Sequence, residues 1–138
     1  MITNRKIILC CSLLALTLVA PIARAAFSIS ELEAFSNEPS RVQPMLERAV
    51  TFERSPDELE GEWQAAVLYC EASRLGSAEG QYRLGMLYAF GKGVPENRAL
   101  AASLFSLAAT QGHSEAQKML ETIDMTTTQL PPCVVQAV

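Results

Sequence analysis

The chain has 138 residues, 49% of them apolar and 19% charged, with 15 acidic residues against 11 Lys and Arg. That length holds one ordinary domain rather than two. The composition excludes disorder throughout, and the acidic balance excludes a nucleic-acid binder that relies on bulk positive charge.

Arg5 and Lys6 open the chain with positive charge, and residues 7–19 follow without any. Pro21 breaks the run, and Ala23-Arg24-Ala25 supplies a small-x-small pattern. Together they predict a secretory signal peptide over residues 1–25, cleaved after Ala25. The protein is therefore expected to be secreted or periplasmic, meeting the membrane only through this segment before cleavage. An anchor fits less well, because the run reaches only about 20 Å as a helix against a hydrocarbon core of roughly 30 Å. Cys10 and Cys11 lie inside the run, not just past it where a lipid-accepting Cys belongs. Removing the segment takes away three basic residues and no acid, leaving 8 against 15 and a net charge of −7. Two cysteines remain, Cys70 and Cys133, in a compartment where disulfides persist. A bridge would close a long loop and stabilise by about 4 kcal/mol on the chain-entropy account. Cys70 also sits where a small buried apolar residue would serve.

From residue 26 on, apolar residues recur at helical spacing and never alternate long enough for a strand. Ser28 and Glu31 predict the start of a short helix carrying Leu32 and Phe35. Val42, Met45, Leu46, Ala49 and Val50 mark one face of a helix over 40–53. Ser55-Pro56-Asp57-Glu58 reads as a helix start with Ser at the cap and Pro in the first turn. That helix runs to about Leu75, where Gly76 provides a left-handed stop. A helix over 78–90 carries Leu84, Leu87 and Tyr88. The turn Gly91-Lys92-Gly93-Val94-Pro95 leads to a helix over 96–110 that ends at Gly112. The last helix is expected to start near Ser114, with Gln117 completing its cap, and to fade by Met125. The expected division is a signal peptide (1–25), N-terminal capping helices (26–54), a repeat domain (55–125) and a tail (126–138).

Shifting the chain by 36 residues lays 65–84 on 101–120 with eight identities: Ala65/Ala101, Ala66/Ala102, Leu68/Leu104, Ala72/Ala108, Gly76/Gly112, Glu79/Glu115, Gln81/Gln117 and Leu84/Leu120. Unrelated sequences of average composition would share about one or two. Each unit is a helix, a Gly-containing turn and a second helix, too thin to bury its apolar face alone. Stacking supplies the missing cover, which is the logic of a helical solenoid.

The segments Tyr82-Arg83-Leu84-Gly85-Met86-Leu87-Tyr88, Gly91-Lys92-Gly93-Val94 and the run from Ala101 to Gly112-His113 resemble the Sel-one-like repeat, a relative of the tetratricopeptide repeat. The full unit is 78–113; the unit before is recognisable in its second helix and the unit after in its first. Asn97 stands where the family usually has Asp, and Leu104 where it prefers Trp. The resemblance implies an all-α fold, a short right-handed α/α solenoid of antiparallel helix pairs. It also implies a binding surface on the concave side lined by first helices, where Arg83, Met86 and Phe90 are the candidates.

Tyr69-Cys70-Glu71-Ala72-Ser73-Arg74-Leu75-Gly76, the repeat and Leu130-Pro131-Pro132-Cys133 are further similar to the region preceding the catalytic domain in secreted bacterial lytic transglycosylases. In those enzymes a Glu-Ser pair begins the catalytic motif, the Glu acting as general acid and base on peptidoglycan. This sequence contains no Glu-Ser dipeptide, so the resemblance implies the accessory module and no enzymatic activity.

No other motif carries chemistry. His113 is the single His and follows the stop Gly112, where it caps or solvates a turn. Gly91-Lys92-Gly93 lacks the strand, spacing and Lys-Ser/Thr of a phosphate loop. The acidic run Asp57, Glu58, Glu60, Glu62 suits a helix N-terminus better than a cation site. Trp63, Tyr82, Tyr88 and Phe105 fall on apolar stripes and read as core. Gly85 in mid-helix costs about 1 kcal/mol relative to Ala, which predicts a close neighbour around Ala108 and Ala109. No catalytic residue, metal or cofactor is expected. The expected function is a scaffold in the cell envelope that binds a protein or peptide, with a cell-wall enzyme among the candidate partners. The alternative is the non-catalytic N-terminal part of a lytic transglycosylase.

Overall fold

Ser28 opens the first helix through a capping box: its hydroxyl accepts from the Glu31 N–H and the Glu31 carboxylate accepts from the Ser28 N–H. A computed structural model describes residues 28–55, 57–123 and 129–135 of the chain. The signal peptide, its cleavage after Ala25, the role of Pro56 and the tail residues 126–128 and 136–138 lie outside the described residues. Among the described residues there are seven helices and no strand: α1 (Ile29–Ser36), α2 (Gln43–Glu53), α3 (Glu58–Arg74), α4 (Ala78–Phe90), α5 (Arg98–Thr110), α6 (Ser114–Leu120) and α7 (Pro132–Val135).

Several starts differ from expectation, each for a local reason. α2 begins at Gln43 and not at Ser40. Pro44 is tolerated only in the first turn, where its missing N–H and its ring break no helical bond. Ser55 does not cap α3; its N–H closes the turn after α2 on the Phe52 carbonyl, and Asp57 caps instead through the Glu60 N–H. α5 starts at Arg98, capped by Asn97 through the Leu100 N–H at 3.0 Å. α6 is capped by His113, not Ser114, and ends at Leu120. α4 matches its expected bounds.

The helices stack in chain order, α2 on α3, α3 on α4, α4 on α5 and α5 on α6. Val42, Leu46, Ala49 and Val50 are buried against α3, so α2 pairs with α3 as α4 pairs with α5, 36 residues further on. The two copies share the bonds that close their turns. Gly76 and Gly112 share a φ of 88°. The Ser77 N–H meets the Ala72 carbonyl at 3.0 Å, and the His113 N–H meets that of Ala108 at 3.1 Å. The bond from Gly76 to Ser73 at 3.0 Å recurs from Gly112 to Ala109 at 2.9 Å.

Phe105 is fully buried, and its ring is the close neighbour of Gly85, in place of Ala108 and Ala109. A Cβ on Gly85 would stand 2.7 Å from the ring edge. Trp63 is not core. It is 58% exposed and shares with Val67 an exposed face of α3, lining an apolar groove with Leu84 and Tyr88. Cys70 and Cys133 are joined by a disulfide, their Cα atoms 6.2 Å apart, which fastens α7 to α3. The Gln129 N–H donates to the Ser103 hydroxyl on α5. The segment 129–135 therefore runs back across the second helices of both units.

Candidate functional site

Glu79 stands in the first turn of α4, one helical turn ahead of Arg83, so both side chains leave the same face. Arg83 Nε is 2.6 Å from Glu79 Oε1, Nη1 is 3.2 Å from Glu53 Oε2 on α2, and Nη2 is 3.5 Å from Glu31 Oε1 on α1. Glu31 also takes Arg54 at 2.7 Å, and Glu53 accepts the Tyr69 hydroxyl at 2.6 Å. On the other side Glu79 Oε2 lies 2.9 Å from His113 Nε2, while His113 Nδ1 accepts the Ala116 N–H at 3.2 Å. One ring nitrogen accepts and the other faces a carboxylate, so the arrangement suits the tautomer with its proton on Nε2. A continuous polar chain thus links α3, α2, α1, α4 and the α5–α6 turn.

Burial alone would raise the carboxyl of Glu79, whose side chain is 5% exposed. Hydrogen bonds from His113 and Arg83 outweigh that and hold it below its ordinary value. Glu31 behaves alike: against partial burial, the Ser28 backbone N–H and the Arg54 guanidinium hold it down at about 2. The Tyr69 hydroxyl is pushed up, first by burial and then by the Glu53 carboxylate. Tyr82 is raised by burial and by Glu79.

This network floors a cleft of about 550 Å³ between α1, the N-terminal half of α4 and the α5–α6 turn. Glu31, Glu33, Glu38, Glu79 and Glu115 line it, with Arg83, Tyr82 and His113. Of the three residues singled out by sequence, Arg83 lines the cleft, but three carboxylates occupy its guanidinium. Met86 packs against the core cluster of Ala101, Phe105, Ala108 and Ala116. Phe90 is 60% exposed and stands apart from the cleft. Sequence reasoning missed the part played by Glu31, Glu53 and Glu79. The available signal was the repeated Glu79/Glu115 pair and the i,i+4 spacing of Glu79 and Arg83. Among the described residues no group of three or more His, Cys, Asp or Glu is placed to hold a metal ion.

A comparison with protein families matches a Sel1 repeat to residues 78–113, the segment that spans α4, the following turn, α5 and the cap of α6. Such repeats commonly mediate protein–protein interaction. No curated protein matches the chain, and no solved structure does.

Proposed function

We propose that this chain, built around the Sel1 repeat at 78–113, is an exported scaffold of the cell envelope that binds a protein or peptide in the cleft between α1, α4 and the α5–α6 turn. The cleft carries the reading: it is concave, of a size that suits ligand sites, and framed by elements of the matched repeat. Export is supported by the charged, apolar and small-residue pattern of residues 1–25, and by a Cys70–Cys133 disulfide of the kind that persists in oxidising compartments.

Expression of the full chain with a photo-crosslinking amino acid at Glu33 tests both parts. The expected result is a chain in the envelope fraction that lacks residues 1–25 and forms one discrete crosslinked species. A chain that stays in the cytoplasm, or crosslinks no more at Glu33 than at the distant Glu47, overturns the proposal.

A second reading, an accessory module of a peptidoglycan lytic transglycosylase, is favoured by one observation. The two segments similar to those enzymes outside the repeat, 69–76 and 130–133, are the ones the disulfide joins. Reading the genomic DNA past codon 138 tests it: a catalytic frame supports this reading and unrelated sequence rejects it.

A further inference from the structure

The cleft sets five carboxylates against one guanidinium, and Arg83 is already engaged by Glu79, Glu53 and Glu31. Glu33 pairs with no cation among the described residues, Glu38 accepts the Glu79 N–H at 2.9 Å, and Glu115 meets the exposed Lys118 ammonium at 3.9 Å. Glu33 and Glu115 stand exposed at the rim, Glu115 with 55% of its side chain open. Five carboxylates against Arg83, Arg54 and Lys118 leave the cleft with a net negative charge.

Tyr82 adds a feature independent of charge. Its ring stacks on His113, with centroids 4.5 Å apart and planes 27° from parallel, and tilts against Phe105 at 5.9 Å. These neighbours fix the ring where it lines the cleft. An aromatic ring in a cleft lined by carboxylates attracts a guanidinium or ammonium through the ring quadrupole and through charge-assisted hydrogen bonds. An acidic peptide would meet like charge, and an apolar one would leave the carboxylates without partners.

We propose that the occupant of this cleft is a basic segment of a partner polypeptide, with one Arg or Lys side chain over Tyr82 and its charge shared by Glu33 and Glu115. This rests on the scaffold reading above and names the chemistry of the partner.

The test is fluorescence anisotropy on the full mature chain with its disulfide intact, using a labelled Gly-Arg-Ser-Arg-Gly-Arg hexapeptide, the same peptide with Glu for Arg, and spermine as competitor. The Arg peptide is expected to bind at least about tenfold more tightly than the Glu peptide. Two rim charges lost together in Glu33→Gln with Glu115→Gln should weaken it about tenfold. Glu47→Gln, an exposed carboxylate elsewhere on α2, should change it less than about twofold. Raising salt from 0.05 to 0.5 M should weaken it further. Tyr82→Leu, checked for folding by circular dichroism, should also weaken binding.

Equal binding of the two peptides, or a loss at Glu47→Gln as large as at the rim pair, overturns the proposal. So does spermine binding as tightly as the Arg peptide, which would mark a site for any polycation. A discrete crosslink at Glu33 together with failure of the Arg peptide refutes this inference alone. Binding of the Arg peptide by a chain that is never exported refutes the envelope scaffold alone.

Discussion

Replacing Gly76 and Gly112 by Ala, one at a time, measures whether the two units are copies in energy as well as in shape. Both glycines hold a φ of 88°, and a Cβ at either would find nothing within 4 Å. The whole cost is therefore backbone. An L-residue in the left-handed region loses about 1–2 kcal/mol, and the stiffer unfolded chain returns about 0.4–1 kcal/mol. The net expectation is destabilisation by about 1 kcal/mol at each site, a fall in Tm of roughly 4 °C for a chain of this size. Urea unfolding of the mature protein, followed by circular dichroism, reads both variants against the parent. Their losses should agree within about 0.5 kcal/mol, because the capping bonds from Ser77 to Ala72 and from His113 to Ala108 match at 3.0 and 3.1 Å. A gain in stability at either site, or a gap above about 1 kcal/mol between them, would refute the equivalence of the two turns.

Gly85→Ala should lower stability by about 1 kcal/mol, because crowding the buried Phe105 ring at about 1–3 kcal/mol outweighs a helix-propensity gain of about 1 kcal/mol. Thermal melts in a Phe105→Leu background should show the loss shrink, and an unchanged loss would exclude the ring as its cause. Cys133→Ser opens a loop spanning 63 residues of sequence separation and should remove about 4 kcal/mol in a denaturant titration. A variant within about 1 kcal/mol of the parent would show that α7 docks without its covalent link. The carboxyls of Glu31 and Glu79 are depressed in the folded state, so their ionised forms add stability that is complete above the ordinary value of 4.5 and is lost as pH falls. For Glu31 the loss runs down to about 2, and acid unfolding of Glu31→Gln should be flatter across that window. An identical acid limb would contradict the depression.

Local signals carried most of the fold. The i, i+3, i+4 spacing in 42–50, the Ser28–Glu31 box and the stops at Gly76 and Gly112 each depend on neighbours within one turn, so they were legible without coordinates. The misread caps at Ser55 and Ser114 share one cause: a second polar side chain stood within two residues. Which oxygen or nitrogen reaches the free N–H groups depends on how the preceding turn closes. Trp63 was misread because an apolar stripe says which residues favour burial, not whether a neighbouring helix arrives to cover them.

The candidate site was the least legible part. Arg83, Met86 and Phe90 follow from helical geometry on a single helix. The cleft instead draws on Glu31, Glu53, Glu79 and His113, separated by up to 82 positions in sequence. The sequence alone determines helices, their stops and the repeat, because those rest on interactions between residues close along the chain. Which charges meet across α1, α2, α4 and the α5–α6 turn is decided only when stacking brings distant side chains within hydrogen-bond reach.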